Sequence, residues 1–400
     1  MTSIDIFVLA ATLIAGAILV WPRLSGARLW QATTTPLASI IGSGFLVLGP
    51  ILDVSFGRYA PLAMAGLCAV AYAFGWAVRY NIAEIERKNE ARPMLEERTD
   101  DLASWVLAFA YFISVAYYLN LFGAFAVDLT PFASEFAARV VTSSVFLLVL
   151  AVGWFKGFKA LEGLERVSVG IKLAIIAGLL AGLAWYGAGH VASGDIVLAP
   201  ATITGWQALT LGFGLIVTVQ GFETSRYLGN TYDAQTRIRS MRLAQWLSTA
   251  IYIVYIVLLT YAFPPVAGEL EETEIIDMMQ IVAVSLPVLL VVAALSAQFS
   301  AAIADTSGSG GLISELSGRK LKPRDAYLVL VIVGLGLTWL ADIFEIIAYA
   351  SRAFAAYYGV QAALAAFTAQ RRKGVTVRTA AFAGLAVLGL AMAVFGTPVE

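Results

Sequence analysis

The sequence predicts an all-α membrane protein. It reads as a 5+5 inverted-repeat helix bundle with discontinuous first and sixth core helices, plus one extra N-terminal and one extra C-terminal helix. Three observations predict this: a composition too apolar for a soluble chain, glycine-rich interruptions inside two hydrophobic segments, and basic residues confined to alternate connections.

Composition sets the class. Hydrophobic residues make up 60% of the 400 and charged residues 13%, whereas an ordinary soluble domain carries about 25% charged residues. The net charge is −1, so nothing electrostatic points to nucleic acid. Cys68 is the one cysteine and lies in an apolar run, which excludes a disulfide framework and a cysteine metal site. The one histidine, His190, reads as a loop residue. No triad, zinc motif or P-loop is present, and no inward cluster of His, Cys or paired carboxylates lies on one loop, so an enzyme is not expected.

Twelve hydrophobic segments are read, at roughly 6–21, 32–52, 60–83, 102–126, 138–155, 167–187, 206–227, 243–264, 279–304, 326–341, 343–369 and 378–396. Most reach the ~20 residues that cross a bilayer. The first lacks a basic leader, and its positive flank, Arg23 and Arg28, follows it. A cleaved signal peptide has the reverse order, so a retained helix with its N-terminus outside is expected. Assigning connections alternately from outside puts 22 of the 26 Lys and Arg residues inside. Only Arg58 and Arg139 fall outside, where Glu269, Glu271, Glu272, Glu274 and Asp277 dominate; Lys172 and Arg352 lie within spans. This positive-inside bias predicts a multi-pass protein of a bacterial plasma (inner) membrane with both termini on the outer side.

The first interruption is Ile40-Ile41-Gly42-Ser43-Gly44-Phe45, and the second is Thr218-Val219-Gln220-Gly221-Phe222-Glu223. Each Gly costs a membrane helix roughly 1 kcal/mol relative to Ala. Broken backbone at mid-depth is tolerated only where it lines a cavity or is buried in protein. Without the first and last helices, ten segments remain as two fives of opposite starting side. Gly42 and Gly221 are 179 residues apart, and Lys172 and Arg352 are 180. The expected organisation is residues 1–28 as the extra N-terminal helix, 29–189 as repeat one, 190–373 as repeat two and 374–400 as the C-terminal helix. Paired interrupted helices in inverted halves point to a secondary transporter with a midplane site.

Ile41-Gly42-Ser43-Gly44-Phe45-Leu46 resembles the Gly-Ser-Gly element in the first core helix of the amino acid–polyamine–organocation transporters. Gly221-Phe222-Glu223 resembles the Gly-Phe-Glu element of their sixth, and residues 157–176 resemble the approach to their fifth. The resemblance covers about residues 32–370 and implies the leucine-transporter type of fold. It departs at Gly229-Asn230-Thr231-Tyr232-Asp233, where the family often has Asn-Pro, and in the extra N-terminal helix.

The residues themselves suggest roles. An unwound Gly42-Ser43-Gly44 would turn N–H groups and the N-terminus of a half-helix over 45–52 toward a site, which favours an anion; the resemblance implies a substrate carboxylate there. Close packing through small residues is the competing reading. Ile41, Gly42, Ser43 and Gly44 are thus substrate-binding candidates, joined from the second break by Val217, Thr218, Gln220 and Gly221. Tyr118 is added from the stripe Tyr111, Ser114, Tyr118, although such stripes also serve packing. Glu223 is an intramembrane carboxylate that could bind an ammonium, carry a proton or latch the loosened backbone.

Lys172 lies ~8–9 Å inside its helix end at 1.5 Å per residue, where it could snorkel. The resemblance implies instead that it fills the spot of a sodium ion found in sodium-coupled relatives. Asp305, Thr306 and Ser307 lie at similar depth. Asp305 could pair with Lys172, relieving the burial cost of both, or the three could ligate sodium. Ser307-Gly308-Ser309-Gly310-Gly311 is expected to end or bend this helix. Arg352 is read as an ion-pair partner of Glu345, with a role in holding an anionic substrate, grouped with the coupling and gating residues, as the alternative.

The expected function is alternating-access transport of a small organic solute, an amino acid or amine, with proton coupling or exchange. Rivals are a sodium-coupled symporter, an inorganic-ion carrier and a non-transporting sensor or assembly subunit. Both breaks lack Met and Asp, against the ion carrier, and the longest inside loop, 84–101, is too short for a signalling domain. No cofactor or resident metal is expected. The partners are the solute and the lipid bilayer.

Overall fold

A computed structural model describes residues 2–42, 44–86, 92–155, 162–229, 231–266 and 270–399, with residues 162–166 described as backbone only. Ser43, one of the substrate-site candidates, lies outside the described residues. Fifteen α-helices and three short 3-10 turns make up the described structure, which contains no strand. In chain order the helices are α1 (Ser3–Val20), α2 (Pro22–Ser25), α3 (Arg28–Ile40), α4 (Gly44–Phe56), α5 (Ala60–Ile85), α6 (Met94–Asp128), α7 (Glu135–Phe155) and α8 (Glu162–Ser193). Then follow α9 (Gly205–Gly214), α10 (Ala234–Thr260), α11 (Glu274–Val282), α12 (Leu286–Leu316), α13 (Pro323–Leu340), α14 (Ile343–Lys373) and α15 (Val377–Phe395).

Nine stretches among the described residues are long and apolar enough to cross a membrane. The remaining predicted spans differ for physical reasons. The segment at 206–227 is a short helix followed by two 3-10 turns, Ile216–Val219 and Phe222–Tyr227. The first half of the segment at 32–52 is α3, only 13 residues long. The long helix α14 is rich in Ala, Tyr and polar residues and is buried along most of its length. Large apolar side chains such as Leu13, Leu62, Leu147, Val292 and Val387 stand exposed around the bundle. Apolar surface on this scale suits lipid rather than water.

In the interior, α6 packs against α12 and α14, α10 packs against α3 and α5, and α15 covers α14. The N-terminal helix α1 lies along α8. A Cβ on Gly182 would stand 2.9 Å from Val8 Cγ2, so helix contact there depends on glycine. Asp5 fixes the N-terminus of α1 by accepting from Ser285 N (3.0 Å) and Ser285 Oγ (2.9 Å) at the start of α12. Charged pairs gather where α5 ends, α6 and α10 begin and α14 ends. There Arg226 and Arg92 share Asp100, Arg237 meets Glu86, Arg371 meets Glu96 and Arg372 meets Glu84.

Three local expectations are corrected. The Gly-Ser run at 307–311 does not end its helix, because α12 continues to Leu316. Its small residues serve close approach: a Cβ on Gly308 would meet the Tyr111 ring at 3.2 Å, and one on Gly310 would meet Tyr327 Cζ at 3.0 Å. His190 lies in the last turn of α8, its ring against Tyr186 at 4.5 Å between centroids. The segment at 279–304 is two helices, α11 and α12, divided at Ala283, whose backbone is extended.

Candidate functional site

A helix that stops inside a bundle leaves its last carbonyls without amide partners. α3 stops at Ile40, and α4 resumes at Gly44. The Leu37 carbonyl still accepts from Ile41 N, at 3.0 Å. The next carbonyls are capped by side chains of other helices. Lys172 Nζ on α8 donates to Ala38 O at 2.7 Å, and Tyr252 Oη on α10 donates toward Ile40 O at 3.0 Å. Tyr255 Oη, one turn further along α10, donates to Leu46 O at 3.2 Å. The first break is thus held from outside itself.

The second break is held largely by its own residues. Gly221 has φ +113°, a left-handed conformation that favours glycine. Its N–H donates to Glu223 Oε2 at 3.0 Å, and its carbonyl accepts from Thr224 Oγ1 at 2.7 Å. Thr218 Oγ1 donates to Leu215 O at 2.6 Å. From α14, Ser351 Oγ accepts from Val217 N at 3.1 Å, and Tyr358 Oη donates to Glu223 Oε2 at 2.7 Å. Glu223 thus accepts both from the loosened backbone beside it and from α14.

The two breaks press against each other. A Cβ on Gly221 would lie 2.6 Å from Ser39 C and 2.8 Å from Ile40 N. Reciprocally, a Cβ on Gly44 would lie 3.1 Å from Thr218 Cα and 2.6 Å from Tyr117 Oη. Tyr252 Oη joins the two, sitting 3.0 Å from Ile40 O and 2.5 Å from Thr218 O.

Polar side chains surround this contact. Gln220 Nε2 donates to Tyr118 Oη at 3.3 Å, and its Oε1 lies 3.5 Å from Tyr358 Oη. A Cβ on Gly42 would reach Tyr118 Cε1 at 3.9 Å, so Tyr118 faces the first break. Tyr358 is stacked between Phe222 (4.9 Å) and Phe74 (5.4 Å), which fixes its hydroxyl on Glu223. Ile41, Val217, Thr218, Gln220, Gly221, Glu223 and Tyr118 are all buried here. The Thr218 carbonyl, the Gln220 amide and the Glu223 carboxyl are thus gathered beside the contact between the breaks.

Lys172 and Asp305 are both buried but take different partners. Asp305 accepts from Ser114 Oγ on α6, while Lys172 reaches the first break. The expected Lys172–Asp305 ion pair is not among the ion pairs of the described residues. The register explains this: the lysine stem points along α8 toward the orphan carbonyl of α3, and Asp305 faces α6. Thr306 is buried and donates to Ala302 O at 2.6 Å within its own helix; Ser307 is half-buried. Arg352 stands away from the breaks. It is exposed, and its Nε donates to Ala393 O on α15 at 2.8 Å. Glu345 instead closes a capping box with Asp342, accepting from its N–H at 3.1 Å, so the expected Glu345–Arg352 pair does not form.

Sequence reasoning missed Tyr252, Tyr358 and Ser351. Tyr252 and Tyr255 do share a face at i, i+3 in an apolar segment, but with 16 tyrosines in the chain that pattern selects nothing.

The chain is similar to a protein of Aquifex aeolicus (strain VF5), described as an uncharacterized protein. The two are 41% identical over 361 residues, 86% of this chain and 85% of that one. Residues 22–396 match the family model described as APC superfamily transporter. With the match running from α2 to the end of α15, the chain belongs to the APC superfamily of transporters.

Proposed function

We propose that this transporter moves a small organic solute, an amino acid or amine, by alternating access around the two helix breaks, with proton coupling or exchange. In this reading α3 to α8 and α9 to α14 are the two inverted repeats, and α1 and α15 are the additions. Both termini face outward from a bacterial plasma membrane. The single observation that carries it is the mutual seating of the breaks, with Gly44 on Thr218 and Gly221 on Ser39 and Ile40. Two interrupted helices meeting at depth are the geometry in which unwound backbone lines a substrate site. The solute's carboxylate belongs at the N-terminus of α4, and its ammonium belongs against the carbonyls, Gln220 and Glu223 of the second break.

Proton coupling or exchange is favoured over sodium because the Lys172 ammonium itself caps Ala38 O. A fixed cation at that carbonyl opposes a second one. The test is uptake of labelled amino acids and amines by proteoliposomes under imposed pH or sodium gradients. A pH-driven, sodium-independent uptake that Gly42→Leu abolishes in folded protein is expected. A strict sodium requirement would move the coupling site to Asp305, Thr306 and Ser307.

A further inference from the structure

A buried acid outside the site already described sits in the half-helix α4. Asp53 is 1% exposed, and among the described residues neither carboxylate oxygen has a hydrogen-bond partner. Thr260, at the last residue of α10, is equally buried, and its hydroxyl also lacks a partner. Thr260 is the side chain that interacts with the Asp53 carboxyl, without the geometry of a formed hydrogen bond. Two orphaned polar groups side by side in a packed interior ask for something that satisfies both.

Among the described residues the surroundings supply no countercharge. On α10 the titratable neighbour is Tyr255, whose hydroxyl is committed to Leu46 O. On α11, Glu274 is set against Asp277 and Glu271, not against Asp53. On α5, Cys68 lies beside Thr249, and Arg79 is bound to Gln245 and to Tyr72 O. The 3-10 turn Ile216–Val219 carries no titratable group. Arg58, just beyond α4, is exposed and donates to Tyr59 Oη at 2.9 Å.

An isolated carboxylate is not held in such a place as an ion at tolerable cost. A hard metal cation needs a shell of oxygens, whereas the side chains here offer one carboxyl and one hydroxyl. A single proton removes the charge and gives the acid an O–H with which to reach Thr260 Oγ1. We propose that Asp53 is a proton-carrying carboxyl of the transport cycle, loaded and emptied as α4 shifts against the end of α10. This rests on the transport reading, since carrying implies a cycle, but the proton site itself can be read without transport.

The experiment is infrared difference spectroscopy of the purified full-length protein across a pH titration, following the C=O stretch of protonated carboxyls. It is paired with proteoliposome assays of pH-driven accumulation and of solute exchange. The isosteric Asp53→Asn variant should lack one titrating band, lose accumulation at least tenfold and keep exchange. Thr260→Val should keep the band with a shifted midpoint, which guards against a variant that misfolds. A band set unchanged in Asp53→Asn overturns the proposal, as does unchanged pH-driven accumulation in that variant. If no solute moves in the wild-type protein, the transport reading fails, and the titrating band still decides whether Asp53 binds a proton.

Discussion

The two helix breaks solve the same problem by opposite means. In the first, carbonyls at Ala38 and Ile40 are capped by long side chains from α8 and α10. In the second, Thr218, Glu223 and Thr224 bond the backbone of their own segment, and α14 adds Ser351 and Tyr358. The first can therefore be released by moving a neighbouring helix. The second carries most of its bonds wherever it goes. A moving part and a self-contained part have different sensitivities to substitution, and that contrast can be tested.

The largest effect is expected at Gly221. Alanine there must hold a left-handed conformation and fit a methyl against Ser39 and Ile40. Each penalty is about 1–2 kcal/mol or more, and together they should lower the midpoint of thermal unfolding by several degrees and abolish binding. A Gly221→Ala protein with wild-type melting would break the argument that the breaks touch.

Lys172→Ala comes next. It strips the donor from Ala38 O, and a buried carbonyl left without its partner costs about 1–3 kcal/mol. Because Asp305 is bonded to Ser114, adding Asp305→Ala should not rescue the loss. The double-mutant cycle should be additive within about 0.5 kcal/mol. A coupling well above 1 kcal/mol in denaturation experiments would restore the ion pair that the sequence suggested.

The smallest effect belongs to Arg352→Ala. Its bond to Ala393 O is at an exposed position, so stability should stay within about 0.5 kcal/mol and uptake should be unaltered. A clear loss of uptake would return Arg352 to the gate.

Lys172 and Arg352 also show what could and could not be read from the chain. Their 180-residue offset predicts matching positions in two repeats, an expectation built on hydropathy and length. Which way a side chain turns is set by neighbours distant in sequence. Lys172 meets an orphan carbonyl 134 residues away, and Arg352 meets a peripheral helix. The breaks were legible because glycine at mid-span is a local signal. Their caps were not, because a tyrosine on an apolar helix looks the same whether it packs or donates. The Gly-Ser run of α12 misled for a related reason: small residues that weaken a helix also let another one approach. Asp53 was passed over because it lies near the end of its segment, where an acid ordinarily meets water.

Tyr252 carries a consequence for how this molecule hydrates. A phenol has one proton, and here it lies between Ile40 O and Thr218 O, one from each break. If the breaks part by the width of a water molecule, the hydroxyl can follow only one of them. The carbonyl left behind is buried and must be satisfied at once by solvent or by a polar group of a solute. Parting of the breaks and wetting of the passage between them are then one cooperative event, with Tyr252 as the point where dry becomes wet.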